Sequence, residues 1–187
     1  MRPLLLALAL ACSVALAACG NTLQDQPIPH SELEQLIVNP FPIYWLGGSF
    51  HGLNLTETSQ DSGGAFVVQY GDCLEGGQGT CVSPLRVVTS ADNSFLPGGG
   101  ASARHVVIRG VPATIAEQGR TIVLATGPVV LGIYADTASL ALAAARAAVT
   151  INEPGAPGAP LPAPEPNTGY GSTPLPSQEP QPLHPVR

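Results

Sequence analysis

Ser49 and His51 stand two residues apart in Gly47-Gly48-Ser49-Phe50-His51-Gly52, the segment that comes nearest to placing a nucleophile beside a base. A serine nucleophile elbow needs Gly-x-Ser-x-Gly between a strand and a helix. Here histidine occupies the second position after Ser49 and no helical pattern follows, so the segment reads as a turn with polar surface residues. It is not a phosphate loop either, because it lacks the lysine and the following helix. His105 is the other histidine of the central region, and no Asp or Glu stands beside either one. His105 shares a strand face with Val107 and reads as a half-buried structural residue; a two-histidine metal site is the competing use of the pair. Asp72 and Glu75 flank Cys73 as turn caps rather than as an acid and a base. The spacing of Cys73 and Cys81 is neither the Cys-x-x-C of a redox pair nor a zinc-ligand pattern. Tyr44, Trp45, Phe50, Phe66 and Tyr70 are the remaining chemical surface. Together they could line a groove for a sugar, peptide or lipid, or they could form the core.

The elements that would position these residues begin with an export signal. Arg2 precedes an apolar run from Pro3 to Ala18 that ends on small residues, the layout of a secretory signal. The run is short for a span, which needs roughly 20 apolar residues. Its last residues, Leu16-Ala17-Ala18, and the following Cys19 resemble the lipobox of bacterial lipoproteins, Leu-small-small-Cys. That resemblance implies cleavage before Cys19 and lipid on both its thiol and its new amine. The chain would then hang from a membrane on the extracytoplasmic side, and stable anchoring takes more than one acyl chain. Gly20 follows Cys19, so the Asp that marks inner-membrane retention is not there. Cys12 leaves with the signal and Cys19 carries lipid. Cys73 and Cys81 remain, in a compartment that permits disulfides, and are expected to form one structural bridge. Closing so small a loop contributes ~2–3 kcal/mol.

Composition narrows the partners. The 187 residues carry a net charge of −6, with 7 basic residues, all arginine, against 13 acids. Nucleic-acid binding needs a basic footprint, so it is not expected. An Ala-, Gly- and Pro-rich chain without lysine is what a GC-rich bacterial genome encodes. Four regions follow: a signal over 1–18, a stalk over 19–40, a globular domain over 41–151, and a proline-rich tail over 152–187 expected to be disordered. In the stalk, Ser31 to Glu34 has the form of a capping box opening a short helix that Pro40 stops.

Within the domain, strands are expected over 43–46, 65–70, 85–89, 105–109, 113–116, 121–126 and 129–134, the last two joined by a Gly127-Pro128 hairpin. Gly110-Val111-Pro112 reads as a turn. Asp136 is expected to cap a helix over 137–150 whose buried stripe is Leu140, Ala144, Ala147 and Ile151. The resulting fold class is α+β, a mostly antiparallel sheet of short strands with a C-terminal helix packed on one face. A β-sandwich is the alternative.

Pro42-Ile43-Tyr44-Trp45-Leu46-Gly47, then Phe50-x-Gly52-Leu53, then Tyr70-Gly71-Asp72-Cys73 and Cys81, are similar to a family of uncharacterised exported proteins of high-GC actinobacteria. The likeness covers about residues 40–151 and implies no activity, so no residue roles come with it. The expected function is that of a lipid-anchored extracytoplasmic module for binding or envelope maintenance, without catalysis or a cofactor. Its partners would be the membrane and an envelope ligand or protein. A cell-envelope hydrolase and an interaction protein acting through the tail are the rivals.

Overall fold

The computed structural model describes residues 28–72, 82–91 and 102–165. The Leu16–Cys19 box, the Cys73 and Cys81 pair and the tail beyond 165 lie outside the described residues. Eight strands build one antiparallel sheet: β2 (Ser49–Phe50), β3 (Leu53–Gln60), β4 (Phe66–Tyr70), β5 (Leu85–Ser90), β6 (Arg104–Ile108), β7 (Val111–Ala116), β8 (Thr121–Thr126) and β9 (Val129–Ala135). Their order is β2-β3-β4-β5-β9-β8-β7-β6, two four-stranded meanders joined where β5 pairs with β9. A separate two-stranded ladder pairs β1 (Tyr44–Trp45) with β10 (Val149–Thr150). Helix α1 (His30–Ile37) precedes the strands, and α2 (Ala138–Ala147) packs on β8 and β9. The fold is thus α+β, and one sheet with a helical layer replaces the β-sandwich alternative.

Strand alternation sorts the residues onto two faces. Val68, Tyr70, Leu85, Val87, Ile122, Leu124, Leu131 and Ile133 point into the core with α2. The helix meets them through Ala141, Ala144, Ala145 and Ala148, all at 0% exposure. This stripe is rotated from the expected one: Leu140 and Ala147 flank it, half-buried. Alanine is the side chain that lets a helix axis lie close to a sheet while keeping high helix propensity. The opposite face carries Val67, Arg86, Val88, Val123, Gly132 and Tyr134, in register across the strands. A Cβ at Gly132 would stand 3.0 Å from Tyr134 Cε2, so any larger residue there would have to displace the ring. The Tyr134 ring covers that backbone and receives the Arg86 guanidinium 5.3 Å from its centroid, a cation–π pair.

Several boundaries differ from expectation. Thr137, not Asp136, caps α2: its Oγ1 accepts from the Leu140 N–H at 3.2 Å, while the Asp136 N–H is bound to the Pro84 carbonyl. The helix ends at Ala147 because β-branched Val149 and Thr150 pair with β1 instead. Helix α1 forms without the capping box. It starts at His30, one residue before Ser31, with Pro29 at its N-cap and no side-chain cap bond. Strand β3 was hidden because its outer half is polar and a bulge between Leu55 and Glu57 breaks the alternation.

Residues 39–47 cross the core face outside the main ladder, and side chains satisfy much of their backbone. Thr89 Oγ1 accepts from the Tyr44 N–H at 3.0 Å. The Tyr70 hydroxyl accepts from the Leu46 N–H at 2.7 Å and donates to the Gly47 carbonyl at 3.1 Å. Asn152 Oδ1 accepts from the Ile43 N–H at 3.0 Å, and its Nδ2 donates to the Asn39 and Phe41 carbonyls.

Tyr70→Phe leaves the Leu46 N–H without its acceptor inside the core, and a loss of about 1–3 kcal/mol in urea unfolding at pH 7 is expected. Burial also lifts the Tyr70 phenol well above its ordinary 10.0, against the Leu46 bond that lowers it. The folded state then keeps a proton that the unfolded chain releases. This contribution is intact below the unfolded value of 10.0 and falls away as pH rises above it. Unfolding curves of the native chain between pH 9 and 11.5 should show that decline, with a shallower slope in Tyr70→Phe.

Candidate functional site

Residues 152–165 were expected to belong to a disordered tail; instead they form a strap bound across the end of the sheet. Three hairpin and helix ends hold it. The Gly158 N–H donates to the Arg146 carbonyl at 3.1 Å, at the last turn of α2. The Leu161 N–H donates to the Arg109 carbonyl at 2.9 Å, at the β6–β7 turn. At the β8–β9 turn, the Gly127 N–H and the Thr126 hydroxyl both donate to the Pro162 carbonyl, and the Glu165 N–H donates to the Gly127 carbonyl. Leu161 is tucked into the core at 9% exposure. Composition misled here because proline count measures the lack of donors and of large apolar groups. The strap needs few donors, and its prolines reduce the entropy lost on ordering.

Arg109 organises this end. It occupies the first position of the two-residue turn between Ile108 and Val111, with φ of 53° followed by 85° at Gly110. Two positive φ values are the signature of a type I′ hairpin. The turn is therefore Arg109-Gly110, one residue earlier than expected, and Pro112 belongs to β7. The guanidinium reaches back so that Nε donates to the Ala159 carbonyl at 2.7 Å and Nη1 to the Ala148 carbonyl. One side chain thus ties the end of α2 to the middle of the strap.

Between the strap and the sheet lies a cavity of about 550 Å³. Pro40, Pro42, Tyr44, Arg109, Thr126 and Pro128 line it, with Glu153 and Glu165 at its mouth. The Tyr44 hydroxyl lies 3.5 Å from Thr126 Oγ1. Burial raises the Tyr44 phenol above its ordinary value, opposed by the Thr126 contact and the Arg109 charge and reinforced by Glu153. Burial lowers the Arg109 guanidinium, offset in part by Tyr44. A protonated phenol, a hydroxyl and proline rings offer packing surface and hydrogen bonds.

The residues singled out from sequence are scattered. Tyr70 and Tyr44 are core residues at 0% and 3% exposure, and Phe66 is buried edge-on against Phe41 with ring centroids 5.8 Å apart. Trp45 and Phe50 are half-buried against the core. Of the five, Tyr44 is the one that lines the cavity. Ser49 is exposed on β2; His51 sits in the β2–β3 turn with φ of 51°, its ring against Phe50, and no hydrogen bond joins it to Ser49. His105 is exposed rather than half-buried, with Nδ1 3.2 Å from Thr114 Oγ1, because its face of β6 is the one turned away from α2. His51 and His105 lie at opposite edges of the sheet. Among the described residues no group of three or more His, Cys, Asp or Glu is placed to hold a metal. Sequence reasoning missed Arg109, Thr126 and Asn152; only Arg109-Gly110, a turn-forming pair between two apolar runs, left a signal. No family model, curated protein or solved structure matches the chain.

Arg109→Ala removes both clamp bonds while keeping a Cβ in the left-handed region. Faster proteolytic cleavage and amide exchange are expected within residues 153–165, with ~1–3 kcal/mol lost in global stability. Arg109→Gly relieves the backbone strain and should recover part of the stability but none of the strap protection.

Proposed function

We propose that this chain is a lipid-anchored extracytoplasmic binding module of a bacterial envelope. The observation that carries the reading is the four-residue box Leu16-Ala17-Ala18-Cys19 behind a charged start and a short apolar run. Among the described residues no helix is long and apolar enough to cross a membrane. The cavity beneath the strap supports binding as the activity. It is of ligand size, and its phenol, hydroxyl and proline rings suit a small envelope component with both apolar and hydrogen-bonding surface.

Intact mass of membrane-extracted protein should equal the chain from Cys19 plus acyl groups, and should gain two protons on reduction if Cys73 and Cys81 are bridged. Cys19→Ala should lose the acyl mass and retain the mass of residues 1–18. A wild-type mass without lipid overturns the anchor. For binding, envelope lipids, glycans and peptides are screened by thermal shift on the mature chain. Stabilisation that is lost in Tyr44→Phe places a ligand in the cavity; hits indifferent to that change remove the cavity from the proposal.

A further inference from the structure

We propose that the free edge of β6 is a docking site for an extended acidic peptide, which adds to the sheet as a ninth strand. This goes beyond the anchored-module reading and does not depend on the anchor or on the cavity. Among the described residues, strand β6 pairs with β7 on one side only. The turn fixes which of its backbone groups are free. In a two-residue hairpin the closing pair, here Ile108 and Val111, is hydrogen-bonded, and bonded and non-bonded pairs then alternate. Val107 opposite Pro112 is the next pair. It must be non-bonded, and proline, which has no N–H, fits there. His105 opposite Thr114 is the next non-bonded pair. The N–H and C=O of His105 and Val107 therefore point away from β7, as the first rungs of a further ladder.

Three observations say what fits this edge. Val107 stands 73% exposed and, among the described residues, is the one large exposed apolar residue carried by a strand. Beside it a cleft of about 370 Å³ is lined by Val107, Ile108, Arg109, Leu142, Arg146 and Gly158, with no carboxylate among them. Arg104 and His105 are exposed along the strand itself. Three of the five described arginines, 104, 109 and 146, thus border one edge of a chain whose net charge is −6. Basic residues on an edge strand discourage pairing with a like copy, and they favour an incoming strand that carries carboxylates. The opposite edge is not equivalent: β2 is two residues long and β3 is bulged. Backbone rungs would supply affinity and the arginine-bordered cleft would supply selectivity, as in strand addition generally.

The test uses the full mature chain and two fluorescein-labelled hexapeptides, one alternating Glu and Val, the other alternating Lys and Val. Anisotropy titrations at low salt should favour the Glu peptide by about ten-fold or more, with the gap narrowing at 0.5 M salt. Amide exchange at His105 and Val107 should slow on binding. Val107→Pro deletes an outward donor without touching the β7 ladder, and should weaken the Glu peptide about ten-fold. Should that variant misfold by circular dichroism, a Glu peptide N-methylated at alternate residues makes the same test from the other side. Equal binding of both peptides, or full binding by Val107→Pro or by the N-methylated peptide, overturns the proposal. So does sedimentation showing a dimer of the peptide-free chain that Val107→Pro dissociates, since the edge would then belong to a second copy.

Discussion

A stretch of backbone laid over a sheet face without joining its ladder carries polar groups into the core, and this protein is organised around satisfying them. Residues 39–47 are that stretch. An unmet amide there would cost a good part of the stability of a small domain. Thr89, Tyr70 and Asn152 meet the need from separate elements: two from the sheet below, one from the segment that follows β10. Each spends a position that could have held an apolar residue, and Thr89 and Tyr70 have no exposure at all. The burial of Tyr70 follows from this duty as much as from its ring.

The same demand shapes the other end of the molecule. The strap is rich in proline, and the amides of Gly158, Leu161 and Glu165 find their partners at one helix end and two hairpin turns. The Arg109 side chain adds two donors, which meet the Ala159 carbonyl of the strap and the Ala148 carbonyl at the helix end. Because the strap is held at separated points rather than packed along its length, space is left beneath it. The cavity is a by-product of that discontinuous attachment, and Tyr44 is shared between it and the core.

Much of the sheet could be read from the chain. Strands at 66–70, 85–90, 121–126 and 129–135 are carried by β-branched runs bounded by Gly and Pro, and local pattern suffices for them. What escaped depended on distant partners. Nothing local distinguishes Asn152 from a solvated residue, since its three bonds reach residues 109 to 113 positions away. Helix α2 stops early for the same reason, as Val149 and Thr150 are drawn into β10 by Tyr44 and Trp45. The aromatic cluster was legible as a cluster, but whether it faces a ligand or a core is decided by what lies on top of it. That covering segment is itself a tertiary feature.

The pairing of residues 39–43 with residues 151–152 also sets an order of events. Contacts between the two ends of a domain are the most expensive to form early, because the loop they close is the longest. In any chain that emerges amino end first, residues 39–47 reach the folding compartment early and then wait: Ile43 has no backbone partner until Ile151 and Asn152 have followed. The strands can collapse beforehand, but the core face stays uncapped until almost the whole domain is present. A polypeptide built this way is sealed by the last residues of its domain to be made.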